Sequence, residues 1–264
     1  MKKYLVIGNP ISHSLSPRVH NHWIKINNLA AVYEKKKVKE NDLEKLIYEI
    51  KNDNLSGLNV TVPFKRSIIS YLDDLTQSAL RTQSVNTIFK KEKKIVGDNT
   101  DIGGFEASFK DIKYETKNKK AFILGAGGVV PSIILALKNL GVSQIAISNR
   151  TQENLSKVEK LFPDIKIIEW GEIVEFDIII NATSVGLKKN DKISLDLSSI
   201  SGSKLFYDVI YNPNMTNFLL EAKKNGHKTE NGKKMFIYQA QLAFKIWHNI
   251  TPQVNQEIFK LLDR

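Results

Sequence analysis

The chain has 264 residues, of which 42% are hydrophobic and 25% are charged, a composition that excludes an intrinsically disordered protein. It contains no cysteine, which excludes disulfide bonds and thiolate metal sites. The formal net charge is +11, but the lysines form short, scattered clusters without a basic helix or an aromatic stacking platform. We therefore expect no nucleic-acid partner, and at most a modest steering of anionic ligands by the positive charge.

No run of about eighteen apolar residues occurs, which argues against a membrane span. The N-terminal apolar run from Tyr4 to Ile7 is too short for the apolar core of a signal peptide. We expect a cytoplasmic protein with no membrane partner and a small-molecule substrate. These features leave both a monomer and a homodimer open.

The first hundred residues predict a mixture of strands and helices. A strand is predicted at residues 4–8, followed by a helix opened by Ser16 and Pro17, because serine suits the N-cap and proline the first turn. Val19, Trp23 and Ile26 are expected on one face of that helix. The remaining elements are a helix on which Leu43, Leu46, Ile47 and Ile50 repeat, a strand at 57–63, and a hairpin of 84–89 and 94–97.

After residue 102 strands alternate with helices. The predicted strands are 120–125, 144–148, 165–168, 176–181 and 205–210, and the predicted helices between them are 129–140 and 152–161. This alternation implies right-handed crossovers and a parallel sheet. Two helical segments follow from about residue 235, the second opened by Thr251 and Pro252. The fold class is therefore α/β, with a Rossmann-like, doubly wound nucleotide-binding domain at about 102–234.

A glycine-rich turn between a predicted strand and a predicted helix is the first functional signal. It consists of Gly125, Ala126, Gly127, Gly128 and Val129. Glycines in that position let the backbone approach a pyrophosphate, and the helix N-terminus offers N–H groups to it. The pattern departs from G-x-G-x-x-G, since position 130 is valine and Pro131 lies in the first helical turn. The turn predicts dinucleotide binding, with a purely structural turn as the alternative.

The end of the second strand of this domain indicates which dinucleotide is bound. An NAD site places Asp or Glu there to accept from the ribose 2′-OH, but this chain has Asn149, Arg150 and Thr151. A guanidinium binds a 2′-phosphate through charge-assisted hydrogen bonds, so NADP is the predicted cofactor. A solvated loop arginine is the alternative. Thr183 and Ser184, which follow a later strand, are expected to face the cofactor unless they only cap a helix.

Several segments together resemble the shikimate dehydrogenase family, and they occur in the family's order along the whole chain. The most specific are residues 59–65 (NVTVPFK) and 97–101 (GDNTD). The others are residues 8–17, 85–87, the glycine turn, 149–151, 181–184 and Gln239. The resemblance implies NADPH-dependent, reversible reduction of 3-dehydroshikimate to shikimate in the biosynthesis of chorismate and the aromatic amino acids. It also implies that a substrate-binding domain, residues 1–101, is completed by residues 235–264.

The resemblance further implies an active site in the cleft between the two domains. Lys65 and Asp101 match the family's catalytic pair. Ser14 and Ser16 are expected to bind the substrate carboxylate, with Tyr211 near it. Thr61, Asn86 and Gln239 are expected to bind the ring hydroxyls. Gly232 and Met235 are expected beside the nicotinamide.

Each of these residues has a structural alternative. Ser16 is placed to cap a helix, Asn86 to satisfy hairpin backbone, and Asp101 to cap the helix that begins at about residue 102. Such a role does not exclude a functional one.

The chain departs from the family pattern at several points. The segment after Asp101 has the order Ile102-Gly103-Gly104-Phe105, and Lys233 and Lys234 stand where the family more often has small or apolar residues. A second arginine shortly after Arg150 is absent, with Lys157 as its candidate replacement.

His13, His20 and His22 lie close in sequence, but a metal site is not expected. Positions 20 and 22 of a helix point about 200° apart, and no carboxylate follows at ligand spacing.

Three other functions compete with the principal one. A quinate/shikimate dehydrogenase that uses NAD would carry an acidic residue near position 149. A non-catalytic ligand-sensing relative would lack Lys65 or Asp101, and both are present. A folate-linked dehydrogenase of similar two-domain design is the third.

Overall fold

The computed structural model describes residues 1–188, 190–193 and 200–263. The chain forms two compact units, here called unit 1 (Met1–Gly104 with Ile237–Arg264) and unit 2 (Phe105–Phe236). Within the described residues, no helix has the length and apolar character needed to cross a bilayer.

Unit 1 contains a mixed six-stranded sheet in the order β2-β1-β3-β5-β6-β4. Its strands are β1 (Lys2–Gly8), β2 (Ala31–Lys37), β3 (Gly57–Val60), β4 (Asp74–Leu75), β5 (Thr87–Lys91) and β6 (Lys94–Asp98). Its helices are α1 (Ser16–Ile26), α2 (Leu43–Lys51), α3 (Gln77–Thr82) and α9 (Gln256–Leu261), with 3-10 turns at Glu40–Asp42 and Ser67–Tyr71. The unit boundaries fall within α4 (Thr100–Asp111) and α8 (Lys233–His248).

The core of unit 1 follows the apolar periodicity of the sequence in α2 but only partly in α1. All four α2 residues named above are buried and belong to the same core cluster as Leu58 and Val60 of β3. On α1, Val19 and Trp23 are buried, whereas Ile26, predicted on the same face of the helix, is 53% exposed. Ile26 is the last residue of its helix, where the buried stripe has already ended.

Strand directions bring several chain segments to one edge of the unit 1 sheet. β1 and β3 are parallel, with Ile7 opposite Val60, so both end at this edge. β5 is antiparallel to β3 and begins there, with Thr87 opposite Asn59 and also opposite Asp98 at the end of β6. The segments after β1, β3 and β6 and before β5 are therefore neighbours, although they are far apart in sequence.

Unit 2 contains an all-parallel sheet in the order β12-β11-β10-β7-β8-β9. Its strands are β7 (Lys120–Leu124), β8 (Gln144–Ser148), β9 (Lys166–Ile168), β10 (Ile178–Asn181), β11 (Leu205–Asp208) and β12 (Lys228–Glu230), and its internal helices are α5 (Val130–Asn139), α6 (Gln152–Leu161) and α7 (Asn217–Lys224). This confirms the predicted α/β class with a Rossmann-like sheet. Because the strands are parallel, the turns after β7, β8, β10 and β11 lie at the same edge of the sheet.

Candidate functional site

A lysine and an aspartate form a partly buried ion pair at the shared edge of the unit 1 sheet. Lys65, after β3, places its Nζ 2.5 Å from Oδ2 of Asp101, in the first turn of α4. The two side chains are 16% and 8% exposed. An ion pair that keeps some contact with solvent can exchange a proton with a bound ligand, which a pair sealed in the core cannot do.

Asn86 fixes the second oxygen of this aspartate. Its Nδ2 donates to Asp101 Oδ1 at 2.9 Å and to Thr100 Oγ1 at 2.9 Å, and Gln239 Oε1 lies 3.5 Å from it. Its Oδ1 accepts from the backbone N–H of Thr100 at 2.8 Å. Asn86 thus satisfies a backbone group at the start of α4 rather than in the hairpin, and it also contacts Asp101 and Gln239. The structure brings Lys65, Asp101, Asn86 and Gln239 together.

Ser14 and Ser16 lie at the start of α1, in the segment after β1. Ser14 Oγ donates to Ser16 Oγ at 3.3 Å and accepts from the Ser16 backbone N–H at 3.4 Å. The alternative of Ser16 as the N-cap is wrong, since Leu15 is the N-cap and Ser16 is the first helical residue. Ser16 is therefore not the cap of α1, and Ser14 is the residue whose hydroxyl accepts from the first N–H of the helix.

Thr61 is held beside the same segment by close backbone approach. A Cβ on Gly8 would lie 2.5 Å from Thr61 Cγ2 and 3.1 Å from the Val62 carbonyl oxygen. Glycine at position 8 therefore lets the segments after β1 and β3 meet, which places Thr61 near the start of the segment that carries Ser14 and Ser16. Tyr211, expected near the same ligand, belongs to unit 2, where its ring stacks on Phe236 at 4.4 Å.

The glycine turn in unit 2 follows β7 and leads into α5. Gly125 has a φ of +109°, and a Cβ there would lie 2.9 Å from the backbone of Ala182, so this glycine is required by the fold. Gly127 and Gly128 differ, because among the described residues a Cβ on Gly127 would meet a single atom, at 4.0 Å, and one on Gly128 would meet none within 4 Å. Val129, the N-cap of α5, makes no side-chain cap hydrogen bond within the part of the chain that the structure describes. Open space in front of an uncapped helix N-terminus fits the phosphates of a dinucleotide.

The segment after β8 lies at the same edge as the glycine turn. Arg150 and Thr151 are exposed, and Asn149 donates to the Thr151 carbonyl oxygen at 2.9 Å. Lys157, the candidate replacement for a second arginine, is paired with Glu153 at 2.6 Å. An exposed arginine on this loop is free to meet a 2′-phosphate, whereas Lys157 already has an acidic partner.

Hydrogen bonds from buried polar side chains fix the turn after β10. Asn181 Oδ1 accepts from the backbone N–H and hydroxyl of Thr183, and its Nδ2 donates to Asp208 at 3.1 Å. Burial raises the pKa of the Asp208 carboxyl to about 6, although three donors, including Thr216, oppose the rise. Thr183 is therefore engaged in its own turn, while Ser184 is exposed.

Gly232 and Met235, expected beside the nicotinamide, have clear structural roles. A Cβ on Gly232 would lie 2.1 Å from the Val209 carbonyl oxygen, and Met235 is buried. The structure places Gly232 against the segment after β11, at the same edge of the sheet as the glycine turn.

Several polar residues behind the site had no assigned role in the sequence. Tyr33, Asn59, Thr87 and Asp208 are buried and hydrogen-bond to the candidate residues or to their neighbours. Asn59 lies in the NVTVPFK segment, which could have drawn attention to it, whereas nothing in the local sequence singles out Tyr33.

The histidines do not gather around a common point. His20 is buried and stacks on Tyr33 with ring centroids 4.1 Å apart, and His22 lies 3.9 Å from Glu257. The described residues contain no group of three or more His, Cys, Asp or Glu that could hold a metal ion.

Comparison with known proteins agrees with this geometry. A family model for the shikimate dehydrogenase substrate binding domain matches residues 6–88, and one for shikimate / quinate 5-dehydrogenase matches residues 107–205. The shikimate dehydrogenase (NADP(+)) of Pelagibacter ubique (strain HTCC1062) is 56% identical over 262 residues, 99% of each chain.

Solved structures extend the likeness to the whole fold. Shikimate dehydrogenase from Aquifex aeolicus superposes with a TM-score of 0.91 at 35% identity, covering 100% of this chain and 98% of that one. The shikimate 5-dehydrogenase of Thermus thermophilus, in complex with NADP(H) and shikimate, has a TM-score of 0.89 at 29% identity, with coverage of 100% and 98%. The chain belongs to the shikimate dehydrogenase family.

Proposed function

We propose that this protein is an oxidoreductase that catalyses the reversible, NADPH-dependent reduction of 3-dehydroshikimate to shikimate, a step in the biosynthesis of chorismate and the aromatic amino acids. The observation that carries the proposal is the Lys65–Asp101 pair, joined at 2.5 Å and held by Asn86. Identity of 56% to an NADP-dependent shikimate dehydrogenase over nearly the full length supports the same reaction and the same cofactor.

We assign substrate binding to the N-terminal domain, residues 1–101 with 235–264, and NADP binding to residues 102–234. In the first domain, Ser14 and Ser16 offer hydroxyl donors to the carboxylate, and Thr61, Asn86 and Gln239 pair with ring hydroxyls. Tyr211 is proposed near the carboxylate. A site that pairs each substrate hydroxyl discriminates strongly against analogues that lack one, because its own polar groups would then stay unpaired.

The proposed cofactor residues fit NADP. The glycine turn, residues 125–129, would hold the pyrophosphate, and Arg150, between Asn149 and Thr151, would bind the 2′-phosphate. Thr183, Ser184, Gly232 and Met235 are proposed toward the nicotinamide end. The open space at Gly127 and Gly128 is the structural feature that fits the group, since the fold itself does not require glycine at position 128.

In the reduction, bound NADPH supplies a hydride to the ring carbonyl carbon. The carbonyl oxygen then becomes an alkoxide and takes one proton from the Lys65–Asp101 pair, which regains it from solvent. Because Lys65 and Asp101 are in direct contact, they act as a coupled unit in this transfer. Asn86 keeps the Asp101 carboxylate turned toward Lys65 by occupying its other oxygen. In the oxidative direction the pair accepts the proton of the substrate hydroxyl.

Turnover measurements with shikimate or quinate, each combined with NADP⁺ or NAD⁺, test the proposal. We expect the highest kcat/KM for shikimate with NADP⁺. A preference for quinate and NAD⁺ would favour the quinate-oxidising alternative. Shikimate binding by calorimetry without turnover in any combination would favour the ligand-sensing alternative and overturn the proposed activity.

A further inference from the structure

A buried tyrosine lies directly behind the proposed substrate site in unit 1. Tyr33 is on β2, an outermost strand of the unit 1 sheet, yet it is only 1% exposed. Its backbone N–H and carbonyl oxygen are both bonded to the side chain of Asn21 on α1, at 2.9 and 2.8 Å. The ring of His20 stacks on it, with centroids 4.1 Å apart and planes 3° apart. Backbone and ring plane are thus both fixed, which leaves the hydroxyl at a defined point.

The Tyr33 hydroxyl sets the orientation of a buried amide. It donates to Asn59 Oδ1 at 2.6 Å, so the Asn59 Nδ2 must face the other way. There Nδ2 donates to the Asn86 carbonyl oxygen at 2.9 Å and to Thr87 Oγ1 at 3.0 Å. Tyr33 therefore determines which end of Asn59 acts as the donor toward the β5 segment.

The donor direction continues into the proposed catalytic centre. Having accepted from Asn59, the Thr87 hydroxyl donates to Asn86 Oδ1 at 3.0 Å. Asn86 then presents its Nδ2 to Asp101, the partner of Lys65. The Thr100 N–H also donates to Asn86 Oδ1, so the backbone supports the same orientation. Every group along this path is buried, and a buried amide left with an unmatched oxygen is costly.

Burial raises the pKa of Tyr33 well above its ordinary value, so its hydroxyl keeps its proton and remains the donor to Asn59.

We propose that Tyr33 is a positioning residue for the reaction, which, through Asn59 and Thr87, orients Asn86 toward Asp101 and the ring. The inference rests on the proposed function, because it takes Asn86 as a substrate contact. Tyr33 itself touches neither substrate nor cofactor in this scheme. The polar path holds Asn86 in one orientation, because its amide cannot turn without leaving a buried partner unmatched.

The test compares Tyr33→Phe with Tyr4→Phe and the unaltered protein. Tyr4 is a matched control, since it is 1% exposed and stacks on Trp247 in the same aromatic group. Tyr33→Phe keeps the ring and its stacking on His20, and should lower kcat/KM for shikimate on the order of tenfold while changing KM for NADP⁺ less than about twofold. Tyr4→Phe should change both by less than about twofold.

A double-mutant cycle separates positioning from general destabilisation. Thr87→Val removes the hydroxyl at the far end of the path and should lower kcat/KM for shikimate without additivity with Tyr33→Phe. It also tests the path should Tyr33→Phe fail to fold.

Two results would overturn the inference, and they differ in what else they remove. Unaltered protein that oxidises shikimate, together with a Tyr33→Phe protein of lower melting temperature but unchanged kcat and KM, would make Tyr33 purely structural and leave the proposed function intact. Unaltered protein without shikimate turnover would overturn the proposed function and this inference with it.

Discussion

The two proposed ligand-binding regions are built from different parts of the chain. In unit 1 the candidate residues are side chains that are half-buried or buried, and Asp101 bonds to both Lys65 and Asn86. In unit 2 the centre of the glycine turn consists of backbone, since Gly127 and Gly128 are exposed and have no side chain.

This difference follows from the chemistry of the two ligands. A ring with several hydroxyls needs many neutral donors and acceptors, and such groups can be buried only if they satisfy one another. A pyrophosphate needs only N–H groups at a helix N-terminus, which the backbone provides. The effect of a substitution at the unit 1 site should therefore reach its hydrogen-bonded neighbours, whereas the effect of a substitution in the unit 2 turn should be limited to the binding of one ligand.

The largest effect is expected for Lys65→Ala. Losing a proton donor typically costs about 10²- to 10⁴-fold in kcat, and NADPH binding should be unchanged because its proposed residues lie in unit 2. Lys90→Ala is a matched control, since Lys90 pairs with Asp53 at 2.8 Å away from the site. Steady-state kinetics with NADPH binding followed by fluorescence would check this. Retention of most of the turnover would remove Lys65 from the mechanism.

Arg150→Ala should act on one ligand only. Losing a hydrogen bond to a charged group weakens binding by about 1.5–3 kcal/mol, so KM for NADP⁺ should rise about ten- to 150-fold while KM for NAD⁺ stays nearly constant. Lys157→Ala serves as the comparison and should change KM for NADP⁺ less than about threefold, because Lys157 is already paired with Glu153. Equal losses for both cofactors would contradict the assignment of Arg150 to the 2′-phosphate.

His20 offers a test of the buried layer behind the unit 1 site. Burial, and then the nearby His248, lower the His20 pKa to about 3, and neither ring nitrogen has a partner among the described residues. Because the folded pKa lies below the unfolded value of about 6.5, the unfolded state gains the proton first, and stability is lost as pH falls below 6.5. At pH 5 this loss is about 2 kcal/mol for one histidine, relative to pH 8.

The variant His20→Phe keeps an aromatic ring beside Tyr33 and removes the titrating group. Urea unfolding at pH 8 and pH 5 should show that acidification costs the variant about 2 kcal/mol less than the unaltered protein. His248 has a pKa lowered to about 4 by burial and then by Lys2, and it is present in both proteins, so its own loss of stability cancels. Identical losses in both proteins would show that His20 is not kept neutral by the fold.

Most of the fold could be predicted from local pattern. Apolar periodicity predicts the helix Gln152–Leu161 and the alternation of strands and helices around it. The parallel sheet that this alternation implies is confirmed. The strand Ala31–Lys37 was not predicted, because Lys35, Lys36 and Lys37 interrupt any alternation of apolar residues. It forms because its backbone pairs with β1, and its exposed lysines suit the edge of a sheet.

The residues proposed to contact a ligand could be predicted from the sequence, whereas the buried residues behind them could not. The residues that we propose to meet a ligand, such as Lys65 and Asp101, lie in segments with a recognisable pattern, and the ends of β3 and β6 bring them together. Tyr33 was not predictable, since its role depends on a contact with Asn59, 26 residues away, that only the assembled sheet creates. The helix start at Ser16 differed by one residue from the predicted cap because Leu15 takes that place.

The smallest effect, about a tenfold loss of NADPH affinity, is expected for Gly128→Ala, and Gly125→Ala, which strains the fold of the same turn, is its comparison. Gly125→Ala forces a φ of +109° on alanine and brings its Cβ to 2.9 Å from the Ala182 backbone, so it should destabilise the protein by at least about 1–3 kcal/mol. The new methyl group of Gly128→Ala has no atom of the described residues within 4 Å, so this change should leave the melting temperature unchanged. Its methyl group would instead occupy the space proposed for the pyrophosphate, and NADPH should bind about tenfold more weakly. Thermal melting without ligand and NADPH titration by fluorescence would separate the two effects.

Should Gly128→Ala bind NADPH as tightly as the unaltered protein, the pyrophosphate does not lie against this residue, and the open space at Gly127 would have to hold it alone. Should Gly128→Ala lose stability as Gly125→Ala does, the turn would be a structural element first, and the contrast between a site made of backbone and a site made of side chains would no longer hold.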